Sequence, residues 1–597
     1  MNKYEAPLRD IQFALFDVVE ADKLYQRLPG TEAVNRELVE AVLQEAARFT
    51  QDILAPLNGS GDTEGCVFDR KDGSVRTPTG FKAAYDQYVA GGWNGLTAPE
   101  AYGGQHLPES VGAAVKEMID AANLAWGNYP LLSHGATEAL KHHGEEWQRQ
   151  VFLTRIVEGR WTGTMCLTEP HCGSDLGLLK TRAEPQANGT YAISGTKIFI
   201  TAGEHDLTEN IIHLVLGRLP DAPTGTKGIS LFVVPKVKTA KDGTLGERNA
   251  VRCGSIEHKM GIHGSSTCVM HFDGAEGTLI GQPNKGLNAM FTMMNTARLA
   301  VGIQGLGLID RAFQNALAYS KDRLQGRSLS GPKRADKPAD PILVHADIRR
   351  MLLTCKALGE GSRALALHAA TLVDTIERHP DKEEQKKADE LLSFLTPIVK
   401  ACLTEWSVEC TYHALQCFGG HGYVREWGME QLARDARITT IYEGTTGIQA
   451  LDLLGRKVIQ QQGAGLKHFL GLIVEFCSSE TMNAGLAEFV APLAKITQEW
   501  QQITLEIGRR TMADPDEIGA ASVDYLFYSG YVALAFWWTK SVAAAERGNH
   551  PAAFKKAKRD TARFYFQRIL PRTLTHAAAI RAGAASLLSM DEEGFAS

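Results

Sequence analysis

The stretch Arg434-Asp-Ala-Arg-Ile-Thr-Thr-Ile-Tyr-Glu443-Gly-Thr-Thr-Gly447 sets one carboxylate immediately before a glycine. It does so where a charged helical pattern over 430–437 gives way to β-branched and aromatic residues. Apolar Ile441, Tyr442 and Ile448 would desolvate Glu443, and desolvation raises a carboxyl pKa toward the range of a general base. A glutamate that merely caps a neighbouring helix is the plainer reading of the same residues, because a perturbed acid marks function only statistically. Two further stretches have chemical potential. Leu167-Thr168-Glu169-Pro170-His171-Cys172-Gly173-Ser174-Asp175 is a strand end followed by a sharp turn, whose hydroxyls and backbone N–H groups suit a polar ring edge or a phosphate, or simply a β-turn. Lys197-Ile-Phe-Ile-Thr-Ala-Gly203 ends a strand with an aromatic two residues before a hydroxyl, a wall and a hydrogen bond for one flat molecule.

The elements that must position these residues follow from periodicity. Over 31–160 apolar residues recur at helical spacing, broken by turn clusters at Gly91-Gly-Trp-Asn-Gly95 and Pro99-Glu-Ala-Tyr-Gly-Gly104. At Trp161 the period changes from 3.6 to 2, and strands are expected at 164–168, 190–194, 197–201, 211–216, 229–234 and 268–272. Helices return over 287–327, 341–377 and 383–418, with Gly302, Gly305 and Gly307 permitting close approach and a polar loop at 328–340. The expectation is an α+β multidomain chain. It comprises an N-terminal extension (1–40), an N-terminal helical domain (41–160), a middle β-barrel or sandwich (161–283), a C-terminal four-helix bundle carrying Glu443 (284–455) and an extra C-terminal helical domain (456–597).

Composition bounds the function. The 597 residues are 44% hydrophobic and 22% charged with net charge -6, which does not favour nucleic acid. The N-terminus mixes both charge signs without the apolar core of a secretory signal, no run of 18 apolar residues occurs, and a cytoplasmic location is expected. Ten cysteines contain no Cys-x-x-Cys pair, and Cys402, Cys410 and Cys417 share a helical face as small core residues. His258 and His263 lack a nearby third ligand, so no metal is expected. Between 540 and 572 nine basic residues face two acidic ones, with Phe554, Phe564, Tyr565 and Phe566 interleaved. That pattern suits an anionic membrane or nucleic acid, although a solvated face paired to acids such as Asp514, Asp516 and Glu517 is the commoner outcome.

With Gln416-Cys-Phe-Gly-Gly-His-Gly-Tyr423 and Ile441-Tyr-Glu-Gly-Thr445, the order and spacing of the motifs resemble the acyl-CoA dehydrogenase family over about residues 40–455. The long C-terminus is similar to the larger subgroup of very-long-chain and 3-methylmercaptopropionyl-CoA dehydrogenase-like bacterial enzymes. The resemblance implies FAD as cofactor, an acyl-CoA substrate oxidised to a trans-2-enoyl-CoA, an electron-transfer flavoprotein as acceptor and Glu443 as the base. It implies flavin contacts from Met165, Leu167, Thr168, Gly173, Phe199, Ile200 and Thr201, with Phe199 in place of the common tryptophan. Arg323, Gln416, Gly419 and Gly420 match groups that reach a neighbouring subunit's FAD, so a homodimer, or a tetramer built from it, is implied; His345 and Thr445 match further FAD contacts. Ser174, Asn295, Arg298 and Gly444 match the substrate side, with Asn295 where an aspartate is frequent; Gly447 replaces a frequent glutamine. Two alternatives stay open: an acyl-CoA oxidase that uses oxygen, and a DNA-binding flavoprotein of the same fold that uses the basic C-terminal region.

Overall fold

The computed structural model describes residues 4–597, so the first three residues of the expected N-terminal extension lie outside the described residues. The main helices are α1 (Glu109–Ala122), α2 (Leu124–His143), α3 (Gly286–Asp322), α4 (Ala346–Arg378), α5 (Lys382–Phe418), α6 (Met429–Thr439), α7 (Thr446–Leu451), α8 (Ala464–Glu480), α9 (Ala487–Thr511), α10 (Asp516–Arg547), α11 (Ala552–Phe564) and α12 (Arg572–Ala582). The strands that matter below are β1 (Trp161–Cys166), β2 (Arg182–Pro185), β3 (Tyr191–Thr201), β4 (Asn210–Arg218), β5 (Ile229–Pro235), β6 (Val251–Ile256) and β7 (Thr267–Ile280). Contacts divide the chain into two compact units. One holds the residues up to Ala47, Pro108–Ala121 and Val301–Ser597; the other holds Arg48–Leu107 and Ala122–Ala300.

The second unit is built on a seven-stranded sheet. Strand β7 pairs with β3, β3 with β2, β2 with β4, β4 with β5, and β5 returns to β7, so the path closes into a small barrel, with β1 on β4 and β6 on β7 at its margins. Closure removes most free sheet edges. The alternation seen in the sequence fills one core with Cys166, Ile193, Ile200, Val215, Phe232, Met270 and Phe272. The separate strands expected at 190–194 and 197–201 are one strand, Tyr191–Thr201, which passes straight through Gly195. A glycine reads as a turn in the sequence, but here extended backbone and the pressing Thr181 side chain, 2.3 Å from where a Cβ would lie, explain it.

The first unit is helical, and α5 is its hub, packing on α4, α6, α7, α8 and α10. Gly302 and Gly305 let α3 meet α5 almost backbone to backbone: a Cβ at 302 would lie 2.9 Å from the Val399 carbonyl oxygen, and one at 305 would lie 2.6 Å from that of Leu403. By composition the apolar run over Lys382–Tyr423 is long enough to cross a membrane, yet 78% of its most apolar window is buried inside the protein. Cys402, Cys410 and Cys417 are buried thiols on this helix. The loop expected to be a polar insertion at 328–340 is organised by a buried acid. Asp340 accepts hydrogen bonds from the N–H groups of Ser328 (3.0 Å), Lys333 (2.9 Å) and Arg334 (2.7 Å), which together with Arg327 hold its carboxyl down at about 2 against the burial that would raise it.

Both ends of the described residues belong to this helical unit. The N-terminal turns around Leu8–Tyr25 pack on α4 and α10, and Phe13 stacks edge-on against Phe554 of α11. Buried Lys558 joins three segments, donating to Asp10 at 2.6 Å and to Glu360 of α4 at 2.8 Å. Burial alone would raise the Asp10 carboxyl, but the Lys558 ammonium outweighs it and holds Asp10 far below the usual range. Most of the arginines of the basic 540–572 stretch are likewise paired. Arg547 pairs with Glu480, Arg559 with Glu488 and Glu546, Arg563 with Glu488, and Arg572 with Glu409. The acids expected at 514–517 are not these partners. Removing one member of a buried charge cluster leaves the others uncompensated, so Lys558→Met should destabilise the helical unit by about 3 kcal/mol. Denaturant titration followed by far-ultraviolet circular dichroism checks this, and a parent-like midpoint would refute it.

Candidate active site

Glu443 sits in a tight loop between α6 and α7, and its backbone is in the left-handed region at φ 57°, followed by Gly444 at φ 92°. A non-glycine residue there stores strain, which persists only where surrounding contacts impose it. Those contacts are visible. The Glu443 carbonyl accepts from the Gln449 side-chain amide at 3.1 Å, and the Gly444 carbonyl accepts from Lys400 Nζ at 2.7 Å. Thr446 Oγ1 donates to Glu405 of α5, the Thr446 N–H to the Thr440 carbonyl at 3.2 Å, and Tyr442 OH to Gln304 of α3. Only glycine fits at 444, because a Cβ would lie 2.6 Å from Gln449 Nε2 in a backbone region that L side chains avoid. Of the apolar residues expected to shield Glu443, Ile441 is instead 46% exposed, while Tyr442 is turned inward. Thr445 caps α7, its hydroxyl accepting from the Ile448 N–H at 3.4 Å.

Sequence reasoning missed Lys400, Gln449 and Gln304. The one visible signal was a lone lysine inside the apolar run Thr396-Pro-Ile-Val-Lys400-Ala-Cys-Leu, which a buried helix tolerates only with a partner.

The β unit presents the other expected group. At the end of β3 the pairing with β7 slips, so that Lys197 faces Met270 while Ile200 faces Cys268. This bulge throws Phe199 outward at φ 59°, where its ring is 60% exposed. Ile200 points the other way into the barrel core, so it can offer only backbone to a ligand. A buried ion pair fastens the neighbouring loop: Lys197 Nζ donates to Glu169 at 2.9 Å and to the Leu167 carbonyl at 3.0 Å, and the Ile198 N–H donates to the Thr168 carbonyl at 2.9 Å. Burial would raise the Glu169 carboxyl, but Lys197 and the donors from Thr181 and Lys180 hold it low. Those donors also occupy Glu169 within the group Glu169, His171 and Cys172, the nearest approach to a metal-ligand set in this loop. Both ring nitrogens of His263 meet carbonyl oxygens, of Asp62 at 3.0 Å and Lys259 at 2.9 Å. Met165 and Leu167 are half-buried against the unit's core, and Gly173 and Ser174 are exposed on the turn. Asn295 is exposed and Arg298 buried on α3.

A third cluster forms at one end of the helical unit. Tyr319 stacks on Phe418 at 4.2 Å and hydrogen-bonds His421 at 2.9 Å, joining the Gly-rich turn after α5 to the end of α3. Exposed Arg323 lies one turn beyond Tyr319, and its carbonyl accepts from the Ile342 N–H at 2.8 Å; His345 Nε2 lies 2.8 Å from the Gln325 carbonyl. Gln416 is exposed, and neither Gly419 nor Gly420 has an atom within 4 Å of where a Cβ would be. This cluster is separate from Glu443: the loop grips α5 at Lys400, 16 residues or roughly 24 Å of helix from Gln416.

A helical unit with a left-handed glutamate, a β-barrel and a further C-terminal helical region define a class of multidomain α+β enzyme. Four family models match in order between residues 37 and 591: "Acyl-CoA dehydrogenase, N-terminal domain" over 37–160, "middle domain" over 164–275, "C-terminal domain" over 284–458, and "Acetyl-CoA dehydrogenase C-terminal like" over 469–591. The chain is 43% identical to 3-methylmercaptopropionyl-CoA dehydrogenase of Ruegeria pomeroyi, covering 95% of this chain and 96% of that one. It is 34% identical to the broad-specificity linear acyl-CoA dehydrogenase FadE5 of Mycobacterium tuberculosis, across all of both chains. In fold it matches the acyl-CoA dehydrogenase complexed with FAD from Bacillus anthracis, with a TM-score of 0.74 and 19% identity over 93% of this chain and 90% of that one. The chain belongs to the acyl-CoA dehydrogenase family.

The residues present fit the family's flavin. Phe199 offers a flat apolar face, and Thr168 and Thr201, both half-buried, offer hydroxyls beside it. The open Gly419–Gly420 turn and exposed Arg323 offer backbone N–H groups and a guanidinium suited to a diphosphate.

One acid near the Glu443 loop titrates in an unusual range. Burial pushes Asp120 of α1 up to about 6, against the pull of Lys116 at 2.9 Å and of the Gln304 amide that also accepts from Tyr442. Between its ordinary value of 3.8 and about 6 the folded chain binds this proton and the unfolded chain does not, so its contribution to stability falls as pH rises through that window. Asp120→Asn cannot ionise and lacks that fall. Its melting temperature relative to the parent should therefore rise from about pH 4 to about pH 7, and a pH-independent difference would contradict the assignment.

Proposed function

We propose that this enzyme oxidises an acyl-CoA thioester to the trans-2-enoyl-CoA, with Glu443 as the base and FAD as the resident cofactor. The observation that carries this reading is Glu443 itself, a carboxylate in strained backbone whose carbonyl and whose neighbour's carbonyl are both held from outside the loop. FAD, when bound, supplies the acceptor for the β-hydrogen as hydride.

The chain's own residues do the rest. Glu443 takes the α-proton, and because that C–H is a weak acid, the reaction depends on charge being met as it develops on the thioester oxygen; the Glu443 N–H is assigned that task. Gly444, with no side chain, leaves room for the thioester beside the carboxylate. Phe199, Thr168 and Thr201 would hold the flavin ring, with Met165, Leu167, Gly173 and the Ile200 backbone around it. Ser174, Asn295 and Arg298 are assigned to the CoA portion. Arg323, His345, Gln416, Gly419, Gly420 and Thr445 are assigned to FAD, the cluster around Arg323 serving the cofactor of a second copy of the chain in a homodimer. Its distance along α5 from the Glu443 loop supports that division.

Electrons are proposed to leave to an electron-transfer flavoprotein, and the ten unpaired cysteines support a reducing, cytoplasmic setting. The ion-paired state of the 540–572 stretch favours this reading over a DNA-binding flavoprotein. A positioned general base contributes typically about 10²–10⁴-fold. Glu443→Gln should retain its yellow flavin and lose flavin reduction by acyl-CoA by at least roughly a hundredfold. Rapid mixing checks this, and reduction at the parent rate would remove Glu443 from the reaction.

A further inference from the structure

We infer that Lys400 is a positioning residue for the Glu443 carboxylate, holding the Glu443–Gly444 turn in its left-handed form through the Gly444 carbonyl. The inference rests on Glu443 being the base. Lys400 stands in the middle of α5 with no exposed surface, flanked by apolar Val399 and Ala401 that are themselves buried. An ammonium taken out of water needs strong acceptors, and its Nζ lies 2.7 Å from the Gly444 carbonyl oxygen. That oxygen belongs to the residue directly after the base.

The geometry around Lys400 explains why the contact is rigid. Gly302 and Gly305 seat α3 against the α5 backbone at Val399 and Leu403, the residues that bracket Lys400. Gln304, between those glycines, accepts from Tyr442 OH just before Glu443, and Glu405, five residues beyond Lys400 on α5, accepts from Thr446 just after Gly444. The loop is therefore pinned on both sides of the base, with the charge-assisted contact at its centre. Gln449 holds the remaining carbonyl from α7, the helix that follows the loop directly, whereas Lys400 belongs to the packed hub helix α5. Without Lys400 the turn loses the hydrogen bond that ties the Gly444 carbonyl to α5, and the carboxylate samples orientations unsuited to proton transfer while substrate binding is unaffected.

The test uses the full-length holoenzyme with butyryl-CoA and octanoyl-CoA. In Lys400→Met, the rate of flavin reduction in anaerobic rapid mixing should fall at least thirtyfold, with the acyl-CoA Kd within threefold of the parent. Hydrogen exchange should rise in peptides covering 440–449 and stay at parent levels in the β-barrel. Lys400→Gln keeps a donor without the charge and should recover part of the rate. A purely structural role would lower melting temperature and flavin occupancy without separating rate from Kd. Parent-like reduction in both variants, loss of rate and binding in equal measure, or failure of both to fold would overturn the inference. Loss of reduction in Glu443→Gln beside parent-like Lys400 variants would remove Lys400 alone; parent-like reduction in Glu443→Gln would remove the underlying reading.

Discussion

Two successive residues in left-handed backbone, one of them a glutamate, do not hold themselves in place. Each such non-glycine residue costs on the order of 1–3 kcal/mol, and a free loop would relax to release it. In this enzyme the cost is met by hydrogen bonds with groups on neighbouring helices: an amide on α7 and an ammonium on α5 donate to the loop, and a glutamine on α3 and a glutamate on α5 accept from it. Everything around the site serves that arrangement. The glycines of α3 exist where α5 must come close, and α5 can be approached so closely because it is the apolar hub of its unit.

The same economy appears on the β side. A single bulge near the end of β3 turns Phe199 out of the barrel, and the buried Lys197–Glu169 pair, two residues before it, secures the loop that carries Leu167 and Thr168. Strain at Phe199 and strain at Glu443 are thus handled alike, each beside a buried lysine that donates to a backbone carbonyl. Buried charges of this kind contribute little net stability, but losing one partner leaves the other uncompensated and strongly destabilises the fold.

The helices that carry the site were legible in the sequence. Expected over 287–327, 341–377 and 383–418, they form over Gly286–Asp322, Ala346–Arg378 and Lys382–Phe418, because long amphipathic runs leave little choice of period. The change of period at Trp161 marked the β region, and Glu443 before Gly444 was recognisable as a hinge. What the sequence did not reveal depends on contacts between distant residues. Lys400 and Gly444 are 44 positions apart, and Lys558 and Asp10 are 548 apart. That the basic run over 540–572 would be paired to acids was the commoner expectation, but which acids was not legible, because they are dispersed from Asp10 to Asp560. Gly195 looked like a turn because composition does not distinguish a bend from a close approach.

The central claim is that a base held in this way removes an α-proton from an acyl thioester. Anaerobic mixing of the purified yellow enzyme with saturated acyl-CoAs of increasing chain length, followed by flavin absorbance and by the identity of the product, tests it most directly. The account predicts bleaching of the flavin with matching formation of a trans-2-enoyl-CoA for at least one chain length. An oxidised flavin with every acyl-CoA, or bleaching that yields no 2-enoyl product, would contradict it.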